Sequence, residues 1–117
     1  MEQALGSQLA VDLRGLLNET DGVVGEDGVG VIWPSARIRD DNLHVRGSAD
    51  LAALYMRFDS LLFFGDAGNG DQFAFRVLSN ETGPDVYVWD HESDNRVWVA
   101  RDLRGYIDGR LTGAIRV

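Results

Sequence analysis

The densest run of chemistry-bearing side chains is Asp90-His91-Glu92-Ser93-Asp94-Asn95. His91-Glu92 opens like the H-E-x-x-H of zinc proteases, but Asn95 stands where the second imidazole is required. Zinc also needs both ligands on one face of a helix, and this segment reads as a turn between strands. Asp90, Glu92 and Asp94 alternate like the oxygen ligands of a calcium loop. Such a loop wants glycine at its sharp turn and a bidentate glutamate at its end, and Asn95 and Arg101 occupy those places. No metal site and no cofactor are expected.

Gly65-Asp66-Ala67-Gly68-Asn69-Gly70 is glycine-rich, yet no Lys-Ser/Thr follows and the run leads into a strand. A phosphate cradle needs a helix amino terminus and a cation, so these glycines read as turn residues. His44 and His91 have neither a nucleophile-elbow serine nor a cysteine to activate. Paired carboxylates of the glycosidase kind occur in any acidic chain and single out nothing. A 117-residue chain with this inventory is expected to bind rather than to catalyse.

Length and composition frame that expectation. At 117 residues and 44% apolar, the chain suits one domain, residues 1–117, with a true core. The absence of cysteine removes disulfide, thiol and Cys–zinc chemistry together. No apolar run approaches the roughly 18–20 residues of a membrane helix, and Met1-Glu2-Gln3 does not open like a signal peptide. A cytoplasmic protein with no membrane partner is expected. The net charge of −8 is concentrated between residues 59 and 95, where eight acids face one base, Arg76. Such a field repels nucleic acid and draws in basic proteins. All eleven basic residues are arginine, which hints at a GC-rich bacterial genome.

These side chains need elements to position them. Leu5, Leu9, Leu13, Leu16 and Leu17 recur at helical spacing over roughly 2–19, and Asp21-Gly22 ends the run in a turn. An irregular loop is expected over 23–30, then a short strand over 29–33 that stops at Pro34. Residues 35–46 fit a helix through Ile38, Asn42 and Val45, with Asp40 and Asp41 on its wet side. Leu51, Leu54, Tyr55 and Phe58 make a second short helical stripe. From Leu61 the period becomes two, predicting strands at 61–65, 71–78, 85–91 and 96–100. Asn69-Gly70 suggests a two-residue hairpin that sets Phe64 opposite Phe75 and Leu62 opposite Val77. A second turn at Glu92–Asn95 would set His91 opposite Arg96 and Trp89 opposite Trp98. That tryptophan pair is expected in the core, with an exposed aromatic platform as the alternative. Asp102 should cap a closing helix striped by Leu103, Ile107 and Leu111 beside Tyr106. Helices flanking an antiparallel meander make an α+β fold.

Four segments stand in a telling order. They are Leu13-Arg14-Gly15-Leu16-Leu17 running to Asp21-Gly22-Val23, then Leu61-Leu62-Phe63-Phe64-Gly65-Asp66 running to Gly70-Asp71. Next come Val86-Tyr87-Val88-Trp89-Asp90-His91-Glu92, and Val99-Ala100 leading to Leu103 and Tyr106-Ile107. Together they resemble the SUKH superfamily (Smi-one/Knr-four homology). Two departures are Leu9-Ala10, where many relatives have Leu-Pro, and a first helix shorter than usual. The resemblance implies an α+β fold around an antiparallel sheet and a protein-binding role. Bacterial members are commonly immunity proteins that neutralise a cognate toxin, often a nuclease; yeast members regulate cell-wall assembly. No shared catalytic residue carries over. On this reading the partner-facing carboxylates are Asp66, Asp71, Asp85, Asp90, Glu92 and Asp94, set against a basic toxin or another protein partner. The competing reading is a solvated hairpin with Asp71 and His91 in local hydrogen bonds.

Overall fold

The computed structural model describes residues 11–24, 30–48, 61–67, 70–78, 81–112 and 115. Among them the order is α1 (Val11–Glu19), β1 (Val23–Val24), β2 (Gly30–Ile32), α2 (Ser35–Gly47) and β3 (Leu61–Asp66). There follow β4 (Gln72–Leu78), β5 (Glu81–Trp89), β6 (Arg96–Ala100) and α3 (Leu103–Thr112). The fold is α+β, with a four-stranded antiparallel meander in the order β3-β4-β5-β6 and a separate β1–β2 pair. The helical stripe at Leu51–Phe58 and the first half of the amino-terminal one lie outside the described residues.

Leu13 of α1 is fully buried, and Leu16 and Leu17 pack against the core beside it. The helix closes with the Thr20 amide on the Leu16 carbonyl, and Gly22 then reverses the chain at a φ of +115°. Val23 and Val24 are not loop, as the composition suggested, but pair with Ile32 and Gly30. Val23 packs on the core, which favours the extended form over a free loop. Pro34 sets the start of α2, where the Ser35 amide donates to the Asp21 carboxylate at 2.7 Å. Ile38 and Asn42 are the buried positions of α2, while Asp40 and Asp41 pair with Arg39 and Arg37 on its outer side.

Both hairpins differ in register from expectation. The Ala67 amide bonds to the Asp71 carbonyl, so the first turn holds three residues rather than two. A bulge at Phe64 shifts the ladder again, so Leu62 faces Phe75 and Phe63 faces Ala74. Phe64 still reaches Phe75, and the rings stack at 4.5 Å. In the second hairpin the Asp90 amide bonds to Asn95, setting Trp89 opposite Arg96 and Tyr87 opposite Trp98. Asp94 takes a φ of +60° there, a conformation aspartate tolerates, and this allows a four-residue loop. Hence the tryptophans do not pair. Trp89 packs edge-on to Phe63 and is 9% exposed, whereas Trp98 on the terminal strand is 53% exposed. Pro84 is accommodated because Gly83–Asp85 sit opposite the single Arg76, where the ladder is interrupted.

α3 starts as expected, with the Asp102 carboxylate accepting the Gly105 amide at 2.8 Å. It covers the sheet through Tyr106, whose ring meets Phe64 at 5.0 Å and Phe73 at 4.8 Å. Leu111 does not continue the apolar stripe and is exposed. The inward positions of that turn are taken by Gly109, tucked under Ile115, and by Arg110, which reaches back to the sheet.

The outer edge of β3 is sealed by two side chains and the Trp33 backbone rather than by a paired strand. Asn42 donates to the Phe63 carbonyl at 2.8 Å and accepts the Phe63 amide at 2.8 Å. Arg46 takes the Leu61 carbonyl, and the Trp33 amide takes that of Phe64. A Cβ at Gly65 would strike the Val31 carbonyl and approach the Tyr106 hydroxyl to 2.9 Å. Gly65→Ala is therefore expected to cost about 2–3 kcal/mol, read as a lower urea midpoint at unchanged slope.

Candidate functional site

The ladder row Asp66–Gln72–Trp89–Arg96 brings the tips of both hairpins to one end of the sheet. Five of the six carboxylates singled out in the sequence gather there: Asp66, Asp71, Asp90, Glu92 and Asp94. Asp85 does not join them. It lies four residues back along β5, roughly 13 Å away at 3.3 Å per residue, and accepts the Trp98 indole N–H at 3.2 Å.

Most of these acids already hold the fold together. Asp66 accepts the Trp33 indole N–H and pairs with Arg37, both at 3.0 Å. The Arg37 guanidinium also lies 4.1 Å over the Trp33 ring. Arg110 clamps the same corner, donating to the Asp66 carbonyl and the Tyr106 hydroxyl, while that hydroxyl donates to Val31 O. Burial pushes the Tyr106 hydroxyl pKa up, so it stays a donor. Asp94 accepts the Trp89 indole N–H at 2.8 Å and pairs with Arg96 at 3.2 Å. Asp90 accepts the Glu92 amide, and that bond holds its carboxyl below the usual range. Glu92 stands apart, with its side chain 83% exposed and its carboxylate 4.0 Å from the His91 ring.

Asp71 and His91 latch the two tips together. One Asp71 oxygen meets both the His91 amide, at 3.1 Å, and the ring Nδ1, at 2.6 Å. Gly70 makes room, since a Cβ there would lie 2.8 Å from the His91 ring. The bond to Asp71, backed by its charge, raises the His91 pKa above 6.5. A raised folded-state value means the latch stabilises fully below about pH 6.5 and fades as pH climbs through that raised value. An NMR titration of His91 should find its midpoint above that of a free histidine. In Asp71→Asn it should fall back; an unchanged midpoint would show that the carboxylate does not hold the ring.

Asp71, Asp90 and His91 each present a ligand atom within 4.8 Å of the others. Sequence spacing grouped Asp90 with Glu92 and Asp94 instead. The Asp71 and His91 atoms are turned on each other and Asp90 on its own turn, so the cluster is built as a hydrogen-bonded latch. Chemically this end offers a fixed, carboxylate-rich tip with Glu92 foremost. Sequence reasoning missed the Trp33–Arg37–Asp66 corner, although Trp33 and Arg37 are spaced one helical turn apart. It placed Asn42 on the inner stripe with Ile38 and Val45 but gave no sign of its partner, the Phe63 backbone on β3.

An antiparallel meander flanked by helices, with a Gly-Asp turn and a Trp-Asp-His-Glu tip, defines a domain of the SUKH type. A family model, SUKH_6, described as SMI1-KNR4 cell-wall, matches residues 1–107, and the chain belongs to that family. No curated protein and no solved structure matches it. No described helix is long and apolar enough to cross a membrane.

Proposed function

We propose that this domain acts by stoichiometric binding to another protein, without catalysis, as a cytoplasmic bacterial immunity protein against a basic toxin such as a nuclease. The observation that carries the reading is the sheet tip. Its carboxylates are concentrated on two hairpins, braced by the Asp71–His91 latch, and Glu92 projects from it. A nuclease presents a basic cleft, and a fixed acidic tip can enter it while the field accelerates encounter. Bracing matters because a tip ordered beforehand loses less entropy on binding.

The test is capture from the source cells with the tagged chain as bait, followed by assay of whatever is recovered. A single basic protein whose activity disappears in the complex supports the reading. Glu92→Lys should then slow association about tenfold at low salt, and retention of the wild-type rate would remove the tip from the interface. The family's cell-wall description favours a second reading, a scaffold that recruits client proteins. Recovery of several unrelated clients, with no activity suppressed, would select it.

A further inference from the structure

A second surface lies away from the sheet tip. α1 and α3 touch each other and together line an open cleft of about 490 Å³. That is within the range of roughly 300–1,000 Å³ seen for clefts that take ligands. Its apolar floor is Leu16, Leu103 and Ile107, and its rim carries Glu19, Asp102 and Asp108 against one base, Arg104. Asp102 spends one oxygen on the Gly105 amide that starts α3. No described hydrogen bond or ion pair engages the carboxylates of Glu19 and Asp108.

Gly15 is the second observation. It occupies the interior of α1, where glycine weakens a helix through its backbone entropy. Packing among the described residues does not account for it. Gly65, Gly70 and Gly109 each have a neighbour that a Cβ would strike, but among the described residues nothing lies within 4 Å of a Cβ at Gly15. Gly15 lines the cleft, so its missing side chain leaves the groove open for another backbone to come close to α1.

We propose that the α1–α3 cleft is a docking groove for a basic amphipathic helix of a protein partner. Apolar side chains of that helix would sit on Leu16, Leu103 and Ile107, and its Lys or Arg residues would meet Glu19 and Asp108. Its backbone would pass over Gly15. This is the helix-in-groove mode of recognition, with the charge of the rim selecting the sign of the ligand. It is independent of the immunity reading, which concerns the other end of the molecule, and either can fail alone.

The probe is a synthetic amphipathic peptide of leucine and lysine, about 18 residues long so that it can hold a helix. A leucine–glutamate peptide of the same pattern is the control. Binding to the full chain is followed by fluorescence anisotropy and by amide shifts in NMR. Saturable binding should shift Gly15, Leu16, Ile107 and Asp108, and the acidic control should not bind. Gly15→Gln fills the groove while improving helix propensity, so it should melt higher than wild type yet weaken the peptide at least about tenfold. Asp108→Lys should weaken it similarly, whereas Asp40→Asn, an exposed acid on α2, should stay within about twofold. The proposal is overturned if Gly15→Gln binds like wild type or if the shifts centre on the sheet tip. Equal losses in Asp108→Lys and Asp40→Asn, or equal binding of the acidic peptide, would likewise reduce the cleft to general charge attraction.

Discussion

Asn42→Ala is expected to lower the unfolding free energy by about 4 kcal/mol, the larger part of what a small domain possesses at the low end of the ordinary range. Asn42 is completely buried, and its amide group serves three backbone groups. It donates to the carbonyls of Ile38 and Phe63 and accepts the amide of Phe63. In effect one side chain replaces the neighbouring strand that β3 lacks at this point. Alanine would take the Asn42 bonds from the buried Phe63 amide and carbonyl, each loss costing about 1–3 kcal/mol, and would add a small cavity. It would also uncover a strand edge flanked by Leu62, Phe63 and Phe64, which invites pairing between molecules. Urea denaturation and light scattering read both effects. Asn42→Asp should cost at least as much, since it buries a carboxylate oxygen against the carbonyls of Ile38 and Phe63. A loss below about 1 kcal/mol for alanine would mean that the edge finds other partners.

Asp94→Ala is expected to cost about 3 kcal/mol, although an alanine scan for an interface would treat Asp94 as one surface acid among several. Three losses combine. The Trp89 indole N–H loses its acceptor, and Arg96, with only 15% of its side chain exposed, loses its carboxylate. Alanine must also take the φ of +60° that Asp94 adopts, which costs about 1 kcal/mol or more. Asp94→Asn keeps the left-handed conformation and one acceptor, so about 1 kcal/mol is expected there. Glu92→Ala should be neutral within about 0.5 kcal/mol, because its side chain is mostly in water. Thermal melts of the three variants decide the matter. Equal stability of Asp94→Ala and Glu92→Ala would show that the Trp89–Asp94–Arg96 contact carries no weight. The practical consequence is that lost partner binding in Asp94→Ala reports on folding, while lost binding in Glu92 variants reports on contact.

The sequence by itself determined the class of the fold. A change from helical spacing to short apolar runs bounded by turn residues, beginning at Leu61-Leu62-Phe63-Phe64, separates helix from strand. Asp102 was legible as a helix cap and Pro34 as a stop, since both act within a few residues. The four SUKH-like segments were legible for the same reason, and they carry the family. Register was not. Whether Asn69-Gly70 closes a loop of two residues or three, and whether Phe64 bulges, depends on what β3 meets on its far edge. That edge is supplied by Asn42, Arg46 and Trp33, which come from elsewhere in the chain.

The same distinction governs the candidate site. A run of acids and its excess of charge can be read from sequence, but not which carboxylates are already engaged. Asp66 is drawn to Trp33 and Arg37 across more than twenty residues, and Asp71 to His91 across twenty. Trp89 and Trp98 are alike in sequence and differ in burial because one sits inside the meander and the other on its last strand. The physical reason is common to all these cases. Local propensities act over a few residues, whereas pairing, burial and the charge left over for a partner are properties of groups that meet only when the chain has folded.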